Sequence, residues 1–450
     1  MRLHQLARRL TQNPHISEAT QLAPGATTWS QLAAGARPCL IAGIHHHTPR
    51  QTLLIVRNYD AALTWQAKLI LYGTNPDDIH ILPSGLSALF EDAAPETVAL
   101  SDRLGSLRFL ASATPGIVIA TPQAALERTL HPLDITENTL TFSPGNEIDS
   151  REAAEKLLRL GYETSDPVRV PGQFSRRGGI LDIFPVGYDL PIRIEFFGDE
   201  IESLRHFDPM TQRSTDRADE FSIGISRETV IPSPELDLDE ILQRAVLHES
   251  GSLSDEAAKR LEELITEDRI ALQNQTYFDR IDLYRSLIQP DGPCAIDYLS
   301  EDGLLILDEP LDLEATCNRQ AEELADALAH RHQRGEILSA EAYDFLQSPE
   351  HFSSAPTLLS LTSMNAIPNW ISETEEFEIG AAPIDNYKGQ PTILTRAIQN
   401  WIKQDLTVTF TTDQPNRTKS ILAGVEIYPT PSTKATPGIR SQMSSPLASM

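Results

Sequence analysis

Between residues 51 and 130 the chain alternates short apolar runs with stretches whose apolar positions recur at helical spacing. The runs are TLLIV (52–56), IHILP (79–83) and GIVIA (116–120). DAALTWQAKLILYG lies between the first two, and a segment carrying Leu104, Leu107 and Leu110 precedes the third. Runs without polar alternation, separated by helices, predict parallel strands buried on both faces and joined by helical crossovers. The pattern changes after Pro132. Ser150 is placed to cap a helix ending near Leu160, with Gly161 at its stop. Beyond it PVRV, FSRRGGILDIF, IRIEFF and IESLRHF are divided by the turn signals PG, GG and GD, which predict an antiparallel α+β meander.

From about 225 to 350 helical periodicity dominates, in SLSDEAAKRLEELITEDRI and ATCNRQAEELADALAHRHQRG, on either side of one apolar strand, GLLILDEP (303–310). A lone strand leaves both edges unpaired, so it is expected to return to the sheet begun before residue 125. TLLSLTSM, LTRAIQNWIKQ, TVTFTT and VEIYP predict a further small α/β unit. The expected organisation is 1–130 for the first part of an α/β domain, 131–222 for an inserted α+β domain and 223–350 for the return segment. A small α/β domain then covers 351–430, and a disordered Pro-, Ser- and Thr-rich tail covers 431–450.

Charge narrows the functional classes. Lys and Arg number 37 against 64 Asp and Glu, a formal charge of -27 that repels the nucleic-acid backbone, so any DNA contact must be local. Cys39, Cys294 and Cys317 are scattered without metal-ligand spacing, which suits a reducing compartment. The basic start MRLHQLARRL runs into polar TQNPH instead of an apolar signal core, and no window approaches the roughly 18 apolar residues of a membrane helix. A cytoplasmic location without membrane partners is the expectation. His45, His46 and His47 are adjacent, but neighbouring side chains point apart, so they predict no metal site. No cofactor is expected.

The stretch PGQFSRRGGILDIFPVGYDLPIRIEFFGDEIESLRHFDPMTQRS (171–214) carries the sharpest signal. In IRIEFF a period of two puts Ile192, Ile194 and Phe196 on one face and Arg193, Glu195 and Phe197 on the other. Gly198-Asp199 suits a tight turn into IESLRHF, and Gly178-Gly179, beside Arg177, suggests a bulge. The bland reading packs Phe197 on a neighbour and leaves the arginines to solvate the face. The sharper one makes an exposed aromatic between arginines a protein-binding hot spot.

This stretch resembles the UvrB-interaction domain shared by bacterial transcription-repair coupling factors and UvrB. TPGIVIATPQAALERTLHP, AIDYLSEDGLLILDEP and YKGQPTILTRAIQNWI resemble later landmarks of the coupling factor's amino-terminal, UvrB-homologous half. The resemblance implies an interaction module: a degenerate helicase-like parallel-sheet domain of the P-loop NTPase type with an inserted UvrA-binding domain. It places the family's UvrA contacts on Arg177, Arg193 and Phe197 and leaves Arg176 without an assigned role. In the full-length family RNA polymerase and double-stranded DNA are also partners, through domains not expected here. The chain is therefore expected to be a truncated or short form.

The resemblance also points to a ruined nucleotide site. A phosphate loop needs backbone N–H groups and a lysine around the phosphates and a hydroxyl on magnesium. At QLAAGARP (31–38) Ala36 stands for the second glycine, Arg37 for the lysine and Pro38 for the hydroxyl residue. Pro38 offers neither hydroxyl nor N–H. Asp308 and Glu309 of LDEP look like the remnant of the magnesium-binding strand, and without a phosphate loop they are expected to be structural. The chain is accordingly not expected to be an enzyme. The rival readings are a UvrB-like ATP-dependent damage verifier, which needs an intact phosphate loop, and a nucleic-acid-binding module, which the charge disfavours.

Overall fold

The computed structural model describes residues 3–428 except 13, 87–96, 230–241, 243–252, 275–277, 279, 340–341, 365, 373, 386, 388, 407, 409–414 and 425–426. The chain begins its sheet with β1 (Gly25–Leu32), then α1 (Arg37–His47), β2 (Gln51–Ile55), α2 (Tyr59–Leu71), β3 (Ile79–Leu82), α3 (Thr97–Ala111) and β4 (Gly116–Ala120). A second set follows: β5 (Leu140–Phe142), α4 (Ser150–Arg159), β6 (Glu163–Thr164), β7 (Gln173–Arg177), β8 (Ile180–Phe184), β9 (Ile192–Phe197), β10 (Glu200–Phe207), β11 (Ser214–Ala218) and β12 (Phe221–Ile223). Last come α5 (Asp255–Gln273), β13 (Leu304–Asp308), α6 (Pro310–Gln333), β14 (Thr357–Leu361), β15 (Glu375–Ala381) and α7 (Pro391–Lys403).

Seven strands form one parallel sheet in the order β15-β1-β14-β13-β2-β4-β3. Alternation along its central strands feeds two cores. Leu53, Ile55, Val118, Leu305 and Leu307 face one side, and Leu54, Val56, Ile117, Ile119 and Ile306 face the other. The lone strand of the 303–310 segment lies between β2 and β14, with Leu304 opposite both Thr52 and Thr357. Local signals start the helices as their side chains dictate: the Asn58 side chain accepts from Ala61 N at 2.9 Å, and the Ser254 hydroxyl from Ala257 N at 3.3 Å.

Two expectations are corrected. The segment 351–430 was expected to form a small domain of its own, yet β14 and β15 belong to the large sheet, where β14 fills the gap between β1 and β13. The cause is β1, GATTWSQL, whose Thr27, Thr28, Trp29 and Ser30 are all buried although the run is largely polar. Its hydroxyls are satisfied across the sheet edge, Thr28 with Thr374 at 2.8 Å and Ser30 on Glu376 at 2.9 Å. A strand that hides its polar groups this way has no apolar signature to read. Second, α4 is capped by Asp149, whose carboxylate accepts from Arg151 N at 2.6 Å, one residue before the expected Ser150. The expected strands TVTFTT and VEIYP lie largely outside the described residues, and the expected tail 431–450 lies wholly outside them.

The other main sheet is mostly antiparallel, in the order β11-β10-β9-β8-β7-β6, and only β6 and β7 run parallel. Its inner face, with Phe174, Leu181, Ile183, Ile192, Ile194 and Leu204, packs on Ala153 and Leu157 of α4 and joins the core under the large sheet. The opposite face carries a small buried cluster of Val168, Phe184 and Phe207 and is otherwise turned to solvent.

Candidate functional site

The solvent face of the antiparallel sheet is built by parity. Arg193, Glu195 and Phe197 of β9 point outward, while Ile192 and Ile194 are fully buried. The pair Gly178-Gly179 makes a turn between β7 and β8 instead of the expected bulge within one strand, because Gly178 takes the left-handed φ of 60°. Gly179 brings this turn against β9: Phe196 N donates to its carbonyl at 2.8 Å, and a β-carbon there would meet Phe196 O at 3.0 Å. Gly198-Asp199 forms the tight turn that the sequence predicts, pairing Phe197 with Glu200.

Beneath this face lies a carboxylate that sequence reasoning gave no role. Asp182 is wholly buried in β8, directly opposite Arg193. Arg193 donates to it twice, Nε to Oδ1 at 2.7 Å and Nη2 to Oδ2 at 2.9 Å, and Arg177 Nη2 reaches Oδ2 at 2.8 Å. One buried acid thus gathers two of the three expected contact residues. The hydrogen bonds to Asp182 hold the Arg193 guanidinium above its ordinary pKa. Phe207 lies under it, with the guanidinium carbon 4.9 Å from the ring centre.

The three expected residues differ sharply in access. The Phe197 residue is 79% exposed, the Arg177 side chain 46% and the Arg193 side chain only 15%. Arg193 therefore serves as a pedestal more than as a free head, and Phe197 stands about 13 Å from it along the strand, at roughly 3.3 Å per residue. Arg176 points to the other face, where its Nε donates to Ser150 Oγ at 3.1 Å. The signal for Asp182 was in the sequence: an acid inside the apolar run ILDIF, on a strand next to one carrying an arginine.

The second group of expected residues also meets. The loop after β1 turns into α1 at Arg37, and β13 ends in Asp308 and Glu309 on the same edge of the sheet. Arg37 is buried and bridges both acids, Nη1 to Asp308 and Nη2 to Glu309. It also donates to Leu32 O from Nε at 3.1 Å and from Nη2 at 2.9 Å, and to Ser363 Oγ at 2.7 Å. Trp65 Nε1 takes the remaining Asp308 oxygen at 2.9 Å. Ala36 is the residue before α1 and Pro38 lies in its first turn, where it withholds an N–H. Trp65 and Ser363, both missed from sequence, complete this closed set.

Among the described residues one further group is spaced to hold a cation, Cys294, Asp297 and His351. Its atoms are already committed: the Asp297 carboxylate accepts from Cys294 N at 2.8 Å and faces His351 Nε2 at 2.9 Å, and the thiol caps the same turn. Burial pushes that thiol up, away from the thiolate a metal requires. A cleft of about 650 Å³ beside β3, lined by His80, Arg108 and Tyr188 among others, includes none of the expected residues. No helix among the described residues is long and apolar enough to cross a membrane.

Residues 140–228, which hold the whole antiparallel sheet, match the family model of the UvrB interaction domain. The transcription-repair-coupling factor of Bacillus subtilis (strain 168) is 26% identical over 411 residues, covering 88% of this chain and 34% of that protein. That of Staphylococcus aureus (strain MRSA252) is 26% identical over 405 residues, with the same shares covered. The chain is homologous to the transcription-repair-coupling factors. It spans about a third of the length of these relatives. The resemblance noted in the sequence is borne out, and the matched residues 140–228 overlap the segment expected to hold that domain. Among solved structures, T. fusca Cas3-ADP aligns with a TM-score of 0.15 at 11% identity, over 93% of this chain and 52% of that chain, a likeness that carries no argument.

Proposed function

We propose that this chain is a UvrA-recruiting module in transcription-coupled nucleotide excision repair, built on a helicase-like parallel sheet whose nucleotide site is closed. The observation that carries the reading is the outer face of the UvrB interaction domain. There a single buried acid orients Arg177 and Arg193, and Phe197 stands almost fully exposed beside the Gly178-Gly179 turn. A large aromatic left in water next to oriented arginines suits a protein partner with an apolar pocket and carboxylates around it. Relatives named as transcription-repair-coupling factors supply the process.

The absence of ATP turnover is supported by Arg37. In a working site a lysine would hold the phosphates, and the acids at the strand end would hold magnesium and activate water. Here Arg37 spends its charge on Asp308 and Glu309, and these carboxylates are held by Trp65 and Ser363. Ligand phosphates would have to break a buried, multiply bonded ion pair to enter. This disfavours the reading as an ATP-dependent damage verifier.

The test is direct. Purified chain mixed with UvrA should form a complex that survives size-exclusion chromatography, and calorimetry with ATP and magnesium should register no binding. Failure to form the complex at micromolar concentrations overturns the recruiting role, and DNA-stimulated hydrolysis abolished by Asp308→Asn overturns the closed site.

A further inference from the structure

The outer face carries more arginine than the two held by Asp182. Arg205 of β10 lies directly opposite Arg193 of β9 on one side and Arg217 of β11 on the other, so three arginines stand in register across adjacent strands. Like charges paired across strands destabilise a sheet, and a chain with a surplus of acids had alternatives at these positions. Of the three, Asp182 matches only Arg193. Arg205 finds Glu195 at 3.9 Å, too far for a hydrogen bond, while that carboxylate already accepts from Ser203 Oγ at 2.6 Å. Its Nε is buried without a hydrogen-bond partner, and its side chain is 32% exposed. Arg217 is exposed and makes no ion pair among the described residues.

We propose that Arg205 and Arg217 extend the contact surface as a row that receives carboxylates of the protein partner, with Phe197 at the opposite end as the apolar anchor. The inference rests on the reading of UvrA as that partner and names which further residues meet it. A protein surface with a few local carboxylates fits better than nucleic acid for two reasons. Phe197 offers a large apolar contact, and the net charge of -27 opposes the long, uniform charge of a nucleic-acid backbone more than it opposes a few carboxylates. The unsatisfied Arg205 and the unmatched cross-strand pairs are then relieved on binding.

The experiment titrates UvrA with the full chain and its variants Arg205→Gln, Arg217→Gln, the two combined, and Phe197→Ala, at low and high salt, alongside thermal melting. The double variant is expected to bind about 10-fold more weakly with a shallower salt dependence. Its melting temperature should equal or exceed the parent's, because a like-charge contact is removed. Each single variant should move in the same direction by less. Parental affinity in the double variant, with affinity lost in Phe197→Ala, overturns the row and leaves the UvrA reading standing. A parent that does not bind UvrA overturns both. Unchanged UvrA binding with weakened binding to duplex DNA overturns the assignment to a protein partner.

Discussion

A charged group is costly to bury unless its charge is matched, and two matched clusters bear on the expected sites, one around the buried Asp182 and one around the buried Arg37. Asp182 is matched by Arg177 and Arg193, which fixes the guanidinium plane of Arg193, tethers Arg177 by one bond and reduces the ordering that binding would require. The pair Asp308 and Glu309 is matched by Arg37, which on the proposed reading has the opposite effect and keeps a ligand out. Breaking a fully buried pair from one side costs about 3–5 kcal/mol, and the partial exposure of Asp308 and Glu309, 19% and 31%, brings the expected cost here below that. Arg37→Ala is therefore expected to lower the melting temperature by several degrees, and adding Glu309→Gln should recover part of the loss. A melt of Arg37→Ala that overlays the parent's would show that the ion pair contributes nothing to the fold. The arginines and Phe197 could be located from parity and family resemblance, whereas the role of Asp182 could not. It depends on which strands lie beside β8: β7 through the Gly178-Gly179 turn, and β9 through the connection 185–191 that sets Asp182 opposite Arg193.

At the scale of elements, apolar runs were the readable part. β2, β4 and β13 are buried on both faces and announced themselves as uninterrupted apolar strands. β1 did not, since Thr28 and Ser30 are satisfied by hydrogen bonds across the sheet and Trp29 packs in the core, which no local pattern reveals. Without β1 the segment 351–430 looked self-contained, although its strands are the neighbours β1 requires. Because β13 sits between β2 and β14, its side chains have no room to relax. Ile306→Ala should cost about 2–5 kcal/mol, read as a lower midpoint in urea or heat. A cost well under 1 kcal/mol would mean that β13 is not the central strand described.

Across the whole molecule, the two sheets are held as one unit by a shared core and by a buried ionic junction. Glu228, just after β12, accepts from Arg103 of α3, from Arg285 at 3.0 Å and from Thr129 at 2.9 Å. Burial pushes the Glu228 carboxyl up, and the two arginines outweigh it, so it is held below the ordinary carboxylate range. This junction fixes the antiparallel sheet with its inner face against the rest of the chain and its arginine-lined face outward. The central claim concerns that outward face, and Phe197 is its cleanest probe, since it is exposed and its removal leaves the fold's packing intact. The decisive measurement is a calorimetric titration of UvrA with the parent chain and with Phe197→Ala. The account predicts a loss of about 2–4 kcal/mol, roughly 30-fold to 1000-fold in affinity, with melting temperatures within about 1 °C. Equal affinity of the two chains for UvrA would contradict it.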